Sequence, residues 1–341
     1  MPETDTRHRR AAVLTTGLVV IAAALAGAAL LSLAVGARDV PFGTVLHALV
    51  NPDPNSTLDL IVTESRVPRT IVGLLAGAAF GLAGAVIQGV TRNPLADPGI
   101  LGVNAGAGLF IVIAISFFGI TSLTGYVWFG FLGAAITSVL VYTIGSIGRG
   151  GATPVKLALA GAAVTAALIS FTTAVLITDV DAYDQFRFWQ VGSLAGRGTD
   201  VAVQSIPFLI LGAALALYSA RALNALALGD DVATSFGQNV IVARLVAAGA
   251  VVLLCGTATS MAGPLVFIGL VIPHIARAIT GPDHRWLLPY SMLLAPLLLL
   301  IADVIGRVVA RPGEVQVGIV TAIIGAPIFV AMARREKLAE L

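Results

Sequence analysis

Charge is what this sequence has least of. Only 11% of its 341 residues are Asp, Glu, Lys or Arg, whereas soluble domains carry about 25%. So few charges cannot cover a water-exposed surface. A mean hydropathy of +0.96 agrees, and the chain reads as an integral membrane protein. Cysteine is almost missing. The single Cys255 excludes an internal disulfide, and its place in an apolar run reads as a small buried hydrophobe. Motifs of chemistry are missing as well. There is no G-x-x-x-x-G-K-[ST] loop, no H-E-x-x-H and no Cys/His set at metal spacing. No catalytic residue, metal ligand or cofactor is therefore assigned, the chain is not expected to be an enzyme, and no nucleic acid is expected as a partner.

Carboxylates are also scarce where a proton relay would need them. None of the 18 acids falls at the centre of an expected span, and proton-coupled transporters use carboxylates or histidines within the membrane. His274 is the only histidine close to a span, near an inner end beside Pro273. If the chain pumps, the energy comes from another subunit. A secondary transporter with an ion site made of backbone carbonyls stays open as the second reading.

What is present is a series of long apolar runs. A helix needs about 20 apolar residues to cross the hydrocarbon core. Such runs fall near 11–35, 70–90, 100–119, 126–147, 157–177, 201–220, 241–260, 262–280, 287–306 and 315–333. The expectation is an all-α polytopic protein of ten spans, one domain over 1–341. The first run is too long for a signal-peptide core of roughly 7–15 residues and reads as a retained span. Gly73, Gly77 and Gly81 repeat at four-residue spacing, as do Gly102 and Gly106, which lets helix backbones approach closely.

An even count puts both termini on one side. With that side cytoplasmic, the inner segments hold 13 Lys and Arg and the outer ones 7, as the positive-inside rule requires. The tails 1–10 and 334–341 are then cytoplasmic. Trp128, Trp189 and Trp286 lie near span ends, where interfacial anchors belong. Four arginines go against the bias: Arg66, Arg69, Arg307 and Arg311 fall on the outer face. They are either helix-end side chains reaching for water or a basic surface for an acidic partner.

The cytoplasmic segment 221–244 is longer than a turn. Leu223, Leu226 and Leu228 form one apolar piece, Gly229 breaks the chain, and Asp230 or Asp231 is placed to cap a second short helix. That helix would present Val232, Ala233 and Phe236 on one side and end at Gly237. Such a pair suits either a groove in a soluble protein or a position flat on lipid.

Six stretches, in order and with compatible spacing, carry a resemblance: RVPRTIVGLLAGAAFGLAGAVIQG (66–89), NPLADPGILGVNAGAG (93–108), ALGDDVATSFGQNV (227–240), GPLVFIGLVIPHIAR (263–277), LIADVIGR (300–307) and VGIVTAIIGAPIFV (317–330). Together they resemble the FecCD family of permeases, the membrane subunits of importers for iron–siderophore complexes, haem and vitamin B12. The resemblance implies the type II ABC importer permease fold in the bacterial inner membrane. It implies a second permease subunit, identical or paralogous, and two cytoplasmic ATPases that use ATP and Mg. It also implies an extracytoplasmic binding protein. By the same resemblance, Arg66, Arg69 and Arg307 dock the binding protein, while Arg311 has no counterpart. Leu226, Leu228, Gly229, Asp230, Val232, Ala233, Phe236 and Gly237 seat in the ATPase. A cytoplasmic gate falls in GSIGRGGATPVK (145–156), with Thr153 at its narrow point. An iron(III)–siderophore complex is the expected cargo, moving through a passage lined by small and apolar groups that holds it weakly.

Overall fold

The computed structural model describes residues 2–148 and 153–339. Among them no strand occurs. The helices are α1 (Pro2–Ala34), α2 (Phe42–Val50), α3 (Thr57–Leu60), α4 (Val67–Thr91), α5 (Val103–Phe118), α6 (Leu123–Ser146), α7 (Pro154–Thr178), α8 (Val180–Gln190), α9 (Thr199–Tyr218), α10 (Ala220–Ala227), α11 (Asp230–Ser235), α12 (Val240–Ala262), α13 (Ile268–Thr280), α14 (His284–Val309) and α15 (Val317–Ala339).

Each of the ten expected runs coincides with a helix. Seven are long and apolar enough to cross a membrane, and α5, α13 and the apolar part of α15 are shorter. The chain is a multi-pass membrane protein. One boundary needs correction. The run expected over 262–280 becomes helical only at Ile268, because Gly263 closes α12 by donating to the Thr259 carbonyl at a φ of +78°. Pro264 then has no N–H with which to continue the ladder. Three helices were not anticipated, α2, α3 and α8. All are short, and α8 carries the polar sequence VDAYDQFRFWQ. Its Asp179 cap accepts from the Ala182 N–H at 3.0 Å, which holds that carboxyl below its ordinary range.

The core is built around α4, which packs on α9, α12, α13 and α14. Its small residues set the spacing. A Cβ on Gly77 would run into the backbone of Pro296, and one on Gly81 into the Ser291 carbonyl, both on α14. The four-residue glycine pattern is thus a contact stripe between α4 and α14. On α5, Gly106 meets Gly133 of α6 in the same way.

The two ends of this bundle differ. At one, Arg10 of α1 donates to the Thr280 carbonyl at the close of α13, beside α10 and α11. At the other lie α2, α3, the turn of wide helix Ile61–Arg66 and α8. The wide turn leads into Pro68, whose missing N–H interrupts the ordinary ladder.

Candidate functional site

At the second end, three arginines expected to face outward are turned inward. Arg69 grips Asp303 of α14 through both its Nε and Nη2, the shortest contact being 2.7 Å, and reaches Glu314 at 2.8 Å. Arg307 meets the same Asp303 at 3.0 Å, and donates to the Ser32 carbonyl and hydroxyl at 2.9 and 2.8 Å. Arg66 donates to the backbone carbonyls of Leu33 and Arg38. All three are under a tenth exposed. The picture of three free cations on an open rim is therefore corrected. A buried charge survives only when paired and hydrogen-bonded, and the tips of α1, α4 and α14 supply those partners. Asp303, expected near a span end, sits inside α14 and is 1% exposed.

Three guanidiniums share two carboxylates here, so one positive charge is left over. It belongs to Arg66, which has no carboxylate within ion-pair reach among the described residues. Arg311, which the sequence left without a role, pairs with Asp39 at 2.6 Å on the surface. That hydrogen bond holds the Asp39 carboxyl below its ordinary range.

At the opposite end the chain folds as anticipated in outline. Gly229, at a φ of +112°, separates α10 from α11, and Gly237, at +76°, follows α11. Leu228, Val232 and Phe236 are exposed, Phe236 by 69%. Leu226 and Ala233 are buried instead. They hold the segment to the bundle rather than presenting it outward. The cap is also corrected. Gly229 stands at the helix start with no side-chain bond, and Asp230 points back to Arg244 at 3.0 Å and to Arg92 at the end of α4. These ion pairs fix α11 against α4 and α12.

A second clasp fixes α10. Asn224 donates from its amide to Asp283 at 2.6 Å, and its Oδ1 accepts from the His284 backbone at 2.9 Å and the imidazole Nδ1 at 2.8 Å. That leaves the two residues that open α14 tied to α10. Burial raises the Asp283 carboxyl, but the Arg285 N–H and the Asn224 amide outweigh it and leave it below the ordinary value.

Between the two ends lies a cavity of about 660 Å³, bounded by α5, α7, α8 and Pro264. Threonines and aliphatic groups of α7 form one wall, and Asn104, Ala105 and Gly108 of α5 a second. The third is aromatic. Tyr183, Phe186 and Trp189 lie along one face of α8, and the Phe186 and Trp189 rings are 5.4 Å apart. The sequence suggested a passage of small and apolar groups and missed this wall. Trp189, expected at the lipid interface, is 2% exposed. The signal was the i, i+3, i+6 aromatic spacing in a segment read as an outer loop.

The suggested gate loop lies partly outside the described residues, which omit 149–152. Thr153 caps α7, accepting from the Lys156 N–H at 3.4 Å, and Lys156 Nζ donates to the Ile147 carbonyl at 3.2 Å.

Residues 20–335 match the FecCD transport family. The ferric enterobactin transport system permease protein FepD of Escherichia coli (strain K12) is 47% identical, over 94% of this chain and 93% of that protein. The iron(3+)-hydroxamate import system permease protein FhuB of Bacillus subtilis (strain 168) is 42% identical, over 91% and 80%. Among solved structures, a metal-chelate type ABC transporter in an inward-facing conformation superposes with a TM-score of 0.82 at 26% identity, covering 94% of this chain and 99% of that one. The fold is that of the type II ABC importer permeases.

Proposed function

The chain belongs to the FecCD transport family, and from that premise we propose that it is the permease subunit of an ATP-driven importer carrying an iron(III)–siderophore complex inward. The observation that carries this reading is the α10–α11 segment. It holds apolar side chains in the open while ion pairs and a hydrogen-bonded clasp lock its base to α4, α12 and α14. Exposed apolar groups at this end call for a cover, either the lipid surface or a groove in a partner protein. A groove in a soluble ATPase gives the exposed knob a partner, and the contacts of its base with α4, α12 and α14 give that partner's motion a path into the bundle.

In this reading two ATPases bind ATP and Mg and seat the exposed groups Leu228, Val232 and Phe236, with Gly229 and Gly237 setting the turns. A second permease subunit completes the passage. The α10–α11 end, with both termini, faces the cytoplasm across a bacterial inner membrane. A binding protein delivers cargo at the opposite end, where Arg66 supplies the unneutralised charge. Arg69 and Arg307 act there from beneath, by holding the tips of α1, α4 and α14 in register. Thr153 and its loop close the passage on the cytoplasmic side. The test is uptake into right-side-out vesicles loaded with ATP and carrying a hydrolysis-dead ATPase. Uptake should stop, and its persistence would reject the reading.

A further inference from the structure

A second cavity, of about 390 Å³, lies at the α10–α11 end, between the close of α4, α10, α13 and the start of α14. Among the described residues its lining holds two arginines, Arg92 and Arg277, two histidines, His274 and His284, and no carboxylate. The arginines come from two helices, Arg92 from the cap of α4 and Arg277 from the last turn of α13. Basic residues at helix C-termini are common, because they complement the carbonyl ends, and such side chains ordinarily run out into water. These two are held in place instead. Gln88, 2% exposed, donates its amide to the Leu270 carbonyl at 3.1 Å and accepts from Arg277 Nη2 at 3.2 Å. Arg92 is held by Asp230. That carboxylate is divided, since Arg244 meets it as well at 3.0 Å. Asp283, beside His284, is taken up by the Asn224 amide and the Arg285 N–H. Neither acid lines the cavity.

We infer that this cavity binds a phosphate-class oxyanion, carried by a soluble phosphate or by the headgroup of an anionic phospholipid. The planar fork of a guanidinium matches the paired oxygens of a phosphate and bonds them with the help of charge. The volume falls in the range of small-ligand sites, roughly 300–1,000 Å³. The proposed cytoplasmic position supplies both sources: dissolved phosphate, and the anionic headgroups that basic pockets between spans meet on that side. An oxyanion in the cavity has Arg92 of α4 and Arg277 of α13 as shared partners, and so ties those two helices together at the foot of the α10–α11 segment. The inference rests on neither the cargo nor the ATPase, so it stands apart from the permease reading.

The experiment uses the full chain in uncharged detergent. Thermal denaturation is followed against inorganic phosphate, with chloride holding the ionic strength constant. The midpoint should rise and saturate, because a ligand that binds only the folded state stabilises it by mass action. Arg277→Gln should weaken the apparent affinity roughly tenfold or more. Ala227→Glu sets a carboxylate at an exposed lining position, away from the Gln88 contacts. It should weaken the response to the same degree, and it carries the test where Arg277→Gln does not fold. The titration is then repeated in mixed micelles with phosphatidylglycerol or phosphatidylcholine. A response to phosphatidylglycerol that Ala227→Glu removes, and that abolishes the response to phosphate, identifies the headgroup as the occupant. A phosphate response that survives the lipid identifies the soluble ion. No saturable rise with either probe, or a rise equal in the unaltered chain and in Ala227→Glu, would overturn the inference.

Discussion

Arg69 and Asp303 join α4 to α14 by a bidentate ion pair at 2.7 Å, with Asp303 1% exposed. The same carboxylate receives Arg307 at 3.0 Å, so one buried acid ties two cations from two helices. Below it, the glycine stripe of α4 lies on Ser291 and Pro296. At the far end of α14, His284 lies against Gly89 of α4, where a Cβ would come 2.6 Å from its Nε2, and Asn224 of α10 clasps Asp283 and His284. The α4–α14 pair is thereby fixed from one end of the bundle to the other.

Removing one partner of this buried pair strands the other charge. Asp303→Ala should destabilise the protein by about 3–5 kcal/mol, read as a fall in thermal denaturation temperature in detergent. Arg311→Ala, which breaks only an exposed pair, should leave that temperature nearly unchanged. Equal effects from the two would show that Asp303 is not the buried anchor.

Docking of the binding protein should depend on Arg66. Arg66→Glu should weaken it, and docking of the unaltered protein should weaken with salt, since the field of the uncompensated charge reaches an incoming partner through water, where it is screened beyond about 8 Å at physiological ionic strength. Titration of binding protein onto nanodisc-held permease at two salt concentrations measures both. An affinity insensitive to the substitution and to salt would remove Arg66 from the docking surface.

Much of this was legible in the sequence, and the misses have physical reasons. The ten runs were visible because lipid demands long apolar stretches, and Gly229 and Gly237 because only glycine adopts their backbone angles at no cost. Arg66, Arg69 and Arg307 were grouped at one end of the spans, and the structure brings them together, but spacing along a chain does not show that Ser32, Asp303 and Glu314 come from elsewhere to enclose them. Leu226 and Ala233 looked like part of an exposed face because helices of eight and six residues carry too little pattern to fix which side turns inward. Helix α8 was invisible to a search for spans, being polar and short, and the aromatic wall went with it.

The knob at the opposite end should behave as an interface anchor. Phe236→Asp should lower ATPase affinity by about 2 kcal/mol, roughly thirtyfold, with the permease still folded and inserted. Co-purification and titration of the ATPase check it. Val232→Pro should uncouple hydrolysis from uptake. Normal coupling in both variants would place the ATPase elsewhere.

The clasp at the start of α14 should be acid-sensitive. Asp283 has a folded pKa below the ordinary 3.8, so its stabilisation is complete above that value and is lost as pH falls through the lower folded value. Fluorescence of Trp286, in the first turn of α14, should report loosening in this acid window. Asp283→Ala should abolish that transition, and an unchanged acid transition in the variant would assign it to another group.

The central claim is that this chain is moved by its partners rather than by an ion gradient. The most direct measurement is accumulation of a labelled iron(III) chelate in proteoliposomes, with the permease alone under imposed proton and sodium gradients, and then with ATPase, binding protein and ATP. Accumulation should be absent in the first case and ATP-dependent in the second. Concentration of the chelate by the permease alone would contradict the account.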